Sequence, residues 1–164
     1  MSDSLNVELN TAAWEAQLEE LENGIENAVR PAAQAGAQIL YQEVLARVPV
    51  ADTGHWFYGS AAKKAKPGEK KSKAYWFPAG TLRNSIFQNF RQELSGPEKA
   101  FYRVGWRWSN QKGGMPVAPY AYMLEYGTSR MSAKPFLRPA YDAAIGRAMN
   151  EVERVFWEGL QKHV

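Results

Sequence analysis

The feature that most restricts the fold is one long helical period near the start of the chain. Trp14, Leu18, Leu21, Ile25, Val29, Ala32, Ile39 and Val44 recur mostly at spacings of three, four or seven. That repeat places apolar side chains on one face of an α-helix. The spacing predicts a helix from residue 11 to about residue 47, with Thr11 as N-cap, Glu19 and Glu20 in the next turns, and Pro49 ending the element. Pro31 falls inside it. Proline lacks a backbone donor and its ring clashes with the preceding turn, so a kink or a split is expected there. Ala32, Ala33, Ala35, Gly36 and Ala37 then form a small-residue stretch, which permits close packing against another helix or a sheet.

The remaining elements are short, except at the C-terminus. Residues 84–94 and 100–108 read as paired strands. In the second, Tyr102, Val104, Trp106 and Trp108 alternate with Arg103, Gly105 and Arg107, the period-two signal of a strand. Ser95-Gly96-Pro97-Glu98 is the connecting turn. The alternation also places Trp106 and Trp108 together on a core face. Pro119 to Tyr126 reads as a short helix closed by Gly127, the residue expected just past a helix end. A final helix is predicted from about Pro139 to Gln161, with Pro139 in its first turn and an apolar stripe of Ile145, Ala148, Met149, Val152, Val155, Phe156 and Leu160. Trp157 cannot share that narrow stripe with Phe156, so one of the two is available to an interface. The fold class expected is α+β: a long N-terminal helix, a small antiparallel sheet, and a C-terminal helix packed on the sheet. The 164 residues fit one domain, with residues 1–10 as a flexible N-terminus.

Residues 49–80 interrupt this scheme. Asp52-Thr53-Gly54 is a turn signal. Trp56-Phe57-Tyr58 and Tyr75-Trp76-Phe77 are aromatic clusters, and Lys63, Lys64, Lys66, Lys70, Lys71 and Lys73 lie between them around Pro67-Gly68. Residues 55–78 therefore read as an inserted, hairpin-like arm with aromatic roots and a basic tip. A loop of this length in a compact domain is usually functional or disordered. Lysines suit phosphate contact without base reading, and flanking aromatics suit stacking on bases or anchoring on a neighbour. Three readings stay open for the six lysines: a solvated loop, a grip on another protein, or weak non-specific contact with DNA.

Charge is separated along the chain. Residues 1–30 hold seven acids against one base, residues 31–140 sixteen bases against six acids, and residues 141–164 four acids against three bases. Acidic ends flanking a basic middle favour head-to-tail contacts between copies or a basic face toward nucleic acid, unless the charges merely decorate solvated faces. The chain has no cysteine, which excludes disulfides and thiolate metal sites. No apolar run approaches the roughly 20 residues of a membrane span. Met1 to Asn10 is polar and acidic, with no signal-peptide character, so a protein made in the cytoplasm and without membrane contact is expected.

Catalytic patterns are sparse. The two histidines are His55, in a glycine-aromatic turn, and His163, next to the last residue. Neither suits a packed catalytic base. No HExxH, CxxC, P-loop or GxGxxG pattern occurs, and Gly59-Ser60 lacks a nucleophile-elbow setting. The three aspartates, Asp3, Asp52 and Asp142, are far apart, which disfavours a two-metal centre unless Asp52, Glu69 and Glu125 converge in space. No catalytic residue, cofactor or metal is expected, and the chain reads as a non-enzyme.

Two segments resemble the tail-completion or neck proteins of HK-type long-tailed bacteriophages. The first is Val48-Pro49-Val50-Ala51-Asp52-Thr53-Gly54, taken up again at Gly80-Thr81-Leu82-Arg83-Asn84-Ser85-Ile86. In that family the Thr-Gly turn runs almost directly into Leu-Arg-x-Ser-Ile; here residues 55–79, with the lysines, intervene. The second is Tyr120-Ala121-Tyr122-Met123-Leu124-Glu125-Tyr126-Gly127-Thr128, followed by Pro135-Phe136-Leu137-Arg138-Pro139-Ala140. With the leading helix, the resemblance spans roughly residues 12–160. Thr53, Gly54, Leu82, Arg83, Ser85, Glu125, Gly127, Thr128, Pro135, Phe136, Arg138 and Pro139 match the family pattern. On the residues alone they read mainly as fold punctuation: glycine stops a helix, and two prolines aim Phe136 and Leu137 into the core. A role for Glu125 or Arg138 across subunits is the other reading. The resemblance implies a structural virion protein at the head-tail junction, forming a homo-oligomeric ring (hexamer or dodecamer) around the DNA channel and touching neck, connector and tail proteins. The alternatives are a tail terminator that caps the tail tube and, in a different class, a basic DNA-binding or packaging accessory protein.

Overall fold

The computed structural model describes residues 11–58, 74–108 and 118–162. The first element, α1, runs from Ala12 to Arg47 without interruption. Thr11 occupies the N-cap, but its hydroxyl donates to Glu15 Oε1 (3.0 Å) instead of accepting from a backbone amide. Pro31 does not split the helix. Pro31 and Asn27 both lie on the exposed side, so water can replace the donor that Pro31 denies to the Asn27 carbonyl, while Ala28 and Ala32 remain buried on the opposite side.

Two two-stranded antiparallel sheets follow, where one was expected. The first pairs β1 (His55–Tyr58) with β2 (Ala74–Phe77), in the register His55↔Phe77 and Trp56↔Trp76. These are the aromatic roots of the arm. The lysines between them, Lys63 to Lys73, lie outside the described residues. The second sheet pairs β3 (Ile86–Phe90) with β4 (Tyr102–Trp106), joined through a 3-10 turn at Gln92–Leu94. The expected strand from residue 84 begins later, because Thr81–Ser85 forms a short helix, α2. Gly80 enters it with φ +73°, Thr81 Oγ1 donates to the Pro78 carbonyl (2.6 Å), and Ser85 Oγ donates to the Leu82 carbonyl (2.7 Å). These local bonds satisfy the backbone of a tight turn before the chain extends. β4 stops at Trp106, and Trp108 beyond it is exposed, against the expectation that both tryptophans face the core.

The third helix, α3 (Ala121–Tyr126), is short and ends at Gly127, whose positive φ of +75° glycine adopts without steric cost. The last helix, α4, covers Leu137–Leu160. Pro139 is its third residue, where a helix has no intrahelical partner for an amide.

Most of α4 packs on α1 and only its first turns meet the second sheet. The reason is residue size. Gly24, Ala28, Ala32 and Gly36 on α1 and Ala140, Ala144 and Ala148 on α4 are buried at four-residue intervals. Rows of small side chains at that interval let two helices pack ridge to groove at short range. A Cβ added at Gly36 would lie 2.4 Å from Val152 Cγ2, and one at Gly159 2.9 Å from Ala28 Cβ. These contacts make the pair antiparallel, with the end of α4 beside Ala28. Met149, expected in the buried stripe, is exposed instead. Where Val44 and Val48 approach the start of α4, larger side chains take over. Leu82, Ile86, Ala118, Ala121, Phe136 and Ala140 close this core, and Phe136 meets Trp106 at 6.1 Å between rings.

Candidate functional site

The residues matching the family pattern fall around that end of the molecule. Glu125 is buried near the end of α3 and faces the start of α4. Its carboxylate accepts from three successive amides, those of Phe136 (2.8 Å, Oε2), Leu137 (3.1 Å, Oε2) and Arg138 (3.1 Å, Oε1). These are donors that the first turn of α4 leaves without helical partners. A carboxylate there also meets the positive end of the helix dipole. From the sequence, Glu125 reads mainly as fold punctuation, with a contact across subunits as the other reading; the structure gives its carboxylate a partner eleven residues downstream in its own chain. The only legible signal is an acid two residues before the glycine helix stop that precedes a proline-flanked helix start.

The link between Glu125 and Phe136 is held tightly. At Gly127 an added Cβ would approach Ala133 N at 2.9 Å and Met131 O at 3.0 Å, so the position needs glycine for space as well as for φ. Thr128 and Met131 exchange backbone bonds (2.9 and 3.3 Å), and Lys134 N donates to the Leu124 carbonyl (2.7 Å). Pro135 is exposed and Phe136 is fully enclosed. Arg138 reaches outward, its guanidinium 5.8 Å from the Tyr126 ring.

The other half of the pattern packs against this one. Leu82 and Ser85 are buried, Arg83 is exposed, and Thr53 is exposed at the rim of a cleft. Gly54 is constrained by contact: an added Cβ would meet the Trp76 ring at 2.3 Å. The cleft has a volume of about 550 Å³ and lies between the two halves, with Val50, Pro78, Leu82, Tyr120, Met123 and Met131 among its mostly apolar lining. His55 closes one side, 5.0 Å from the Tyr120 ring and 5.7 Å from Phe77. Burial pushes the Tyr120 hydroxyl up from its ordinary value. Nothing in the sequence pointed to this cleft, because its walls come from four separate segments.

Two further surfaces are apolar and exposed. Trp56 and Trp76 lie opposite each other across β1 and β2, their rings 5.2 Å apart, with 55 % and 50 % of their surface exposed. At the other end of the molecule, Trp14 (70 % exposed), Leu18 (56 %) and Leu21 line the first three turns of α1.

Among the described residues, no three or more His, Cys, Asp or Glu side chains stand where they could share a metal ion. Asp52 is exposed, Glu125 is committed to the α4 amides, and Glu69 lies outside the described residues. No described helix is long and apolar enough to cross a membrane. Comparison with models of known protein families, with curated proteins and with solved structures finds no match.

Proposed function

We propose that this chain is a structural subunit of the bacteriophage head-tail junction, acting by assembly into a ring around the DNA channel. The reading rests on the two ordered segments that resemble tail-completion or neck proteins, and one observation supports treating them as a unit. Leu82 and Ile86 from the first share a core with Ala121, Phe136 and Ala140 from the second, although residues 87–119 separate them. The same two segments line the apolar cleft, a concave surface suited to a protruding segment of a neighbouring virion protein. Assembly needs such contact surfaces and no turnover, in keeping with the buried, structurally committed carboxylate at Glu125.

The test is electron microscopy of virions labelled at the C-terminus of this protein. A single collar of label between head and tail supports the proposal, and counting its copies gives the ring order. Label absent from finished virions sinks it and brings forward a packaging or assembly-factor role.

A further inference from the structure

Among the described residues, none covers the N-terminal turns of α1. Trp14, Leu18 and Leu21 follow the spacing of Ala28, Ala32 and Gly36, so all six lie on one side of the helix. From Ala28 onward α4 covers that side: Gly159, at the end of α4, sits against Ala28, and Val152 sits against Gly36. Every residue from 12 to 23 is exposed, a stretch of about 18 Å at 1.5 Å per residue. It carries four acids, Glu15, Glu19, Glu20 and Glu22, and no base.

Beyond its other end, α1 runs directly into the apolar cleft, for Pro49, Val50 and Ala51 form part of the cleft lining. Val50, Met123 and Met131 leave apolar surface exposed there. The two methionines carry unbranched, polarisable thioether chains that adapt to an incoming aromatic ring. The exposed charges around the cleft are mostly basic. Lys134 lines it, and Arg130 and Arg83 stand next in sequence to its lining residues Met131 and Leu82; all three are exposed. Among the described residues, none of the three is in an ion pair. The acids nearest in sequence to the lining are Asp52, which is exposed, and Glu125, whose carboxylate is taken up by the α4 amides. About 45 Å of helix separates Leu18 from Val48, so the cleft cannot receive the projecting turns of its own chain.

We infer that the two surfaces meet between copies: the projecting turns of α1 in one copy seat Trp14, Leu18 and Leu21 in the apolar cleft of the next. Shape and charge select this occupant. The three side chains stand at i, i+4 and i+7, the spacing by which an amphipathic helix anchors in an apolar groove, and tryptophan is a residue type that commonly anchors interfaces. Two projecting turns placed on each other would bring four acids of one copy against four of another, at a cost in free energy. Seated in the cleft, the same acids face Lys134, Arg130 and Arg83 instead. The two surfaces differ and lie at opposite ends of α1, so the contact is head-to-tail and repeats until it closes a ring. The inference rests on the proposed ring assembly and names the contact that builds it.

The absence of native cysteine makes directed cross-linking a clean test. Full-length Gln17→Cys and Ala51→Cys variants, both at exposed positions, are mixed and treated with a bismaleimide at low salt. The expected main product joins position 17 of one copy to position 51 of another, and its yield falls as salt screens the charges. Trp14→Ala with Leu18→Ala lowers the yield by at least about tenfold while circular dichroism stays that of the parent, since both side chains are exposed. Glu15→Lys with Glu22→Lys also lowers it, and adding Arg130→Glu with Lys134→Glu to the Ala51→Cys copy restores it. A dominant 17-to-17 product, or no product between copies at low salt and high concentration, overturns the inference. Collar label in virions without the 17-to-51 product removes this interface and leaves the neck reading standing. The product without collar label does the reverse.

Discussion

The covered and uncovered parts of α1 carry the same periodicity with opposite side chains. From Ala28 to Gly36 the inner face is alanine and glycine, and α4 lies against it. From Trp14 to Leu21 the same face is tryptophan and leucine, and no described part of the chain lies against it. Helical spacing tells which face will be apolar, but side-chain size tells how near the partner backbone comes. Small residues mark a partner inside the fold at short range. Large exposed ones leave room for a partner from outside.

The sharpest way to break the comparison is at the wide end of the helix pair, where large side chains fill the core. Phe136→Ala empties a fully enclosed site beside Trp106 and is expected to cost about 3–5 kcal/mol, read by denaturant unfolding. Glu125→Ala leaves three amides without their acceptor and is expected to cost about 2–3 kcal/mol in the same measurement. Glu125→Gln, which still accepts but without charge, should recover part of that loss.

Filling the narrow seam should cost less. Gly36→Val pushes a side chain into Val152 and the Ala148 carbonyl, and an unfolding midpoint lowered by about 1–3 kcal/mol of stability is expected. If it is neutral, the helices are not held as closely as their small residues imply. Leu18→Ala on the uncovered turns should change the stability of the isolated chain by no more than about 0.5 kcal/mol. A larger loss would mean that the apolar face is already covered within the chain.

The smallest effect concerns pH. Hydrogen bonds from Arg47 and then Arg147 hold the Glu43 carboxyl below its ordinary value of 4.5, and the Arg147 bond (2.7 Å) ties α4 to α1. A folded-state value below the unfolded one means that this stabilisation is present above pH 4.5 and is lost as pH falls through the folded value. Glu43→Gln should therefore flatten a slight decline in melting temperature below pH 4.5. The pair is at the surface, so the change is small.

Much of the secondary structure was legible. The bounds of α1, the pairing of β3 with β4, the aromatic roots of the arm and the glycine stop at Gly127 follow from residue spacing and turn chemistry, which act over a few residues. Trp108 and Met149 were misplaced because periodicity does not say where pairing stops or which side of a helix the partner occupies. Of the candidate site, Phe136 was legible as an inward anchor, since two prolines fix the chain around it. The role of Glu125 was not, because its amide partners come from another element.

By itself, then, the sequence determined the two long helices, the strand pairs, the apolar face of α1 and the separation of acidic and basic charge along the chain. The tertiary structure decided that α4 covers only part of α1, that two motif segments separated by residues 87–119 share one core, and that Glu125 caps α4. Local spacing selects helix or strand through backbone and side-chain sterics. Which faces meet depends on contacts between distant residues, where packing volume and unpaired amides choose the arrangement.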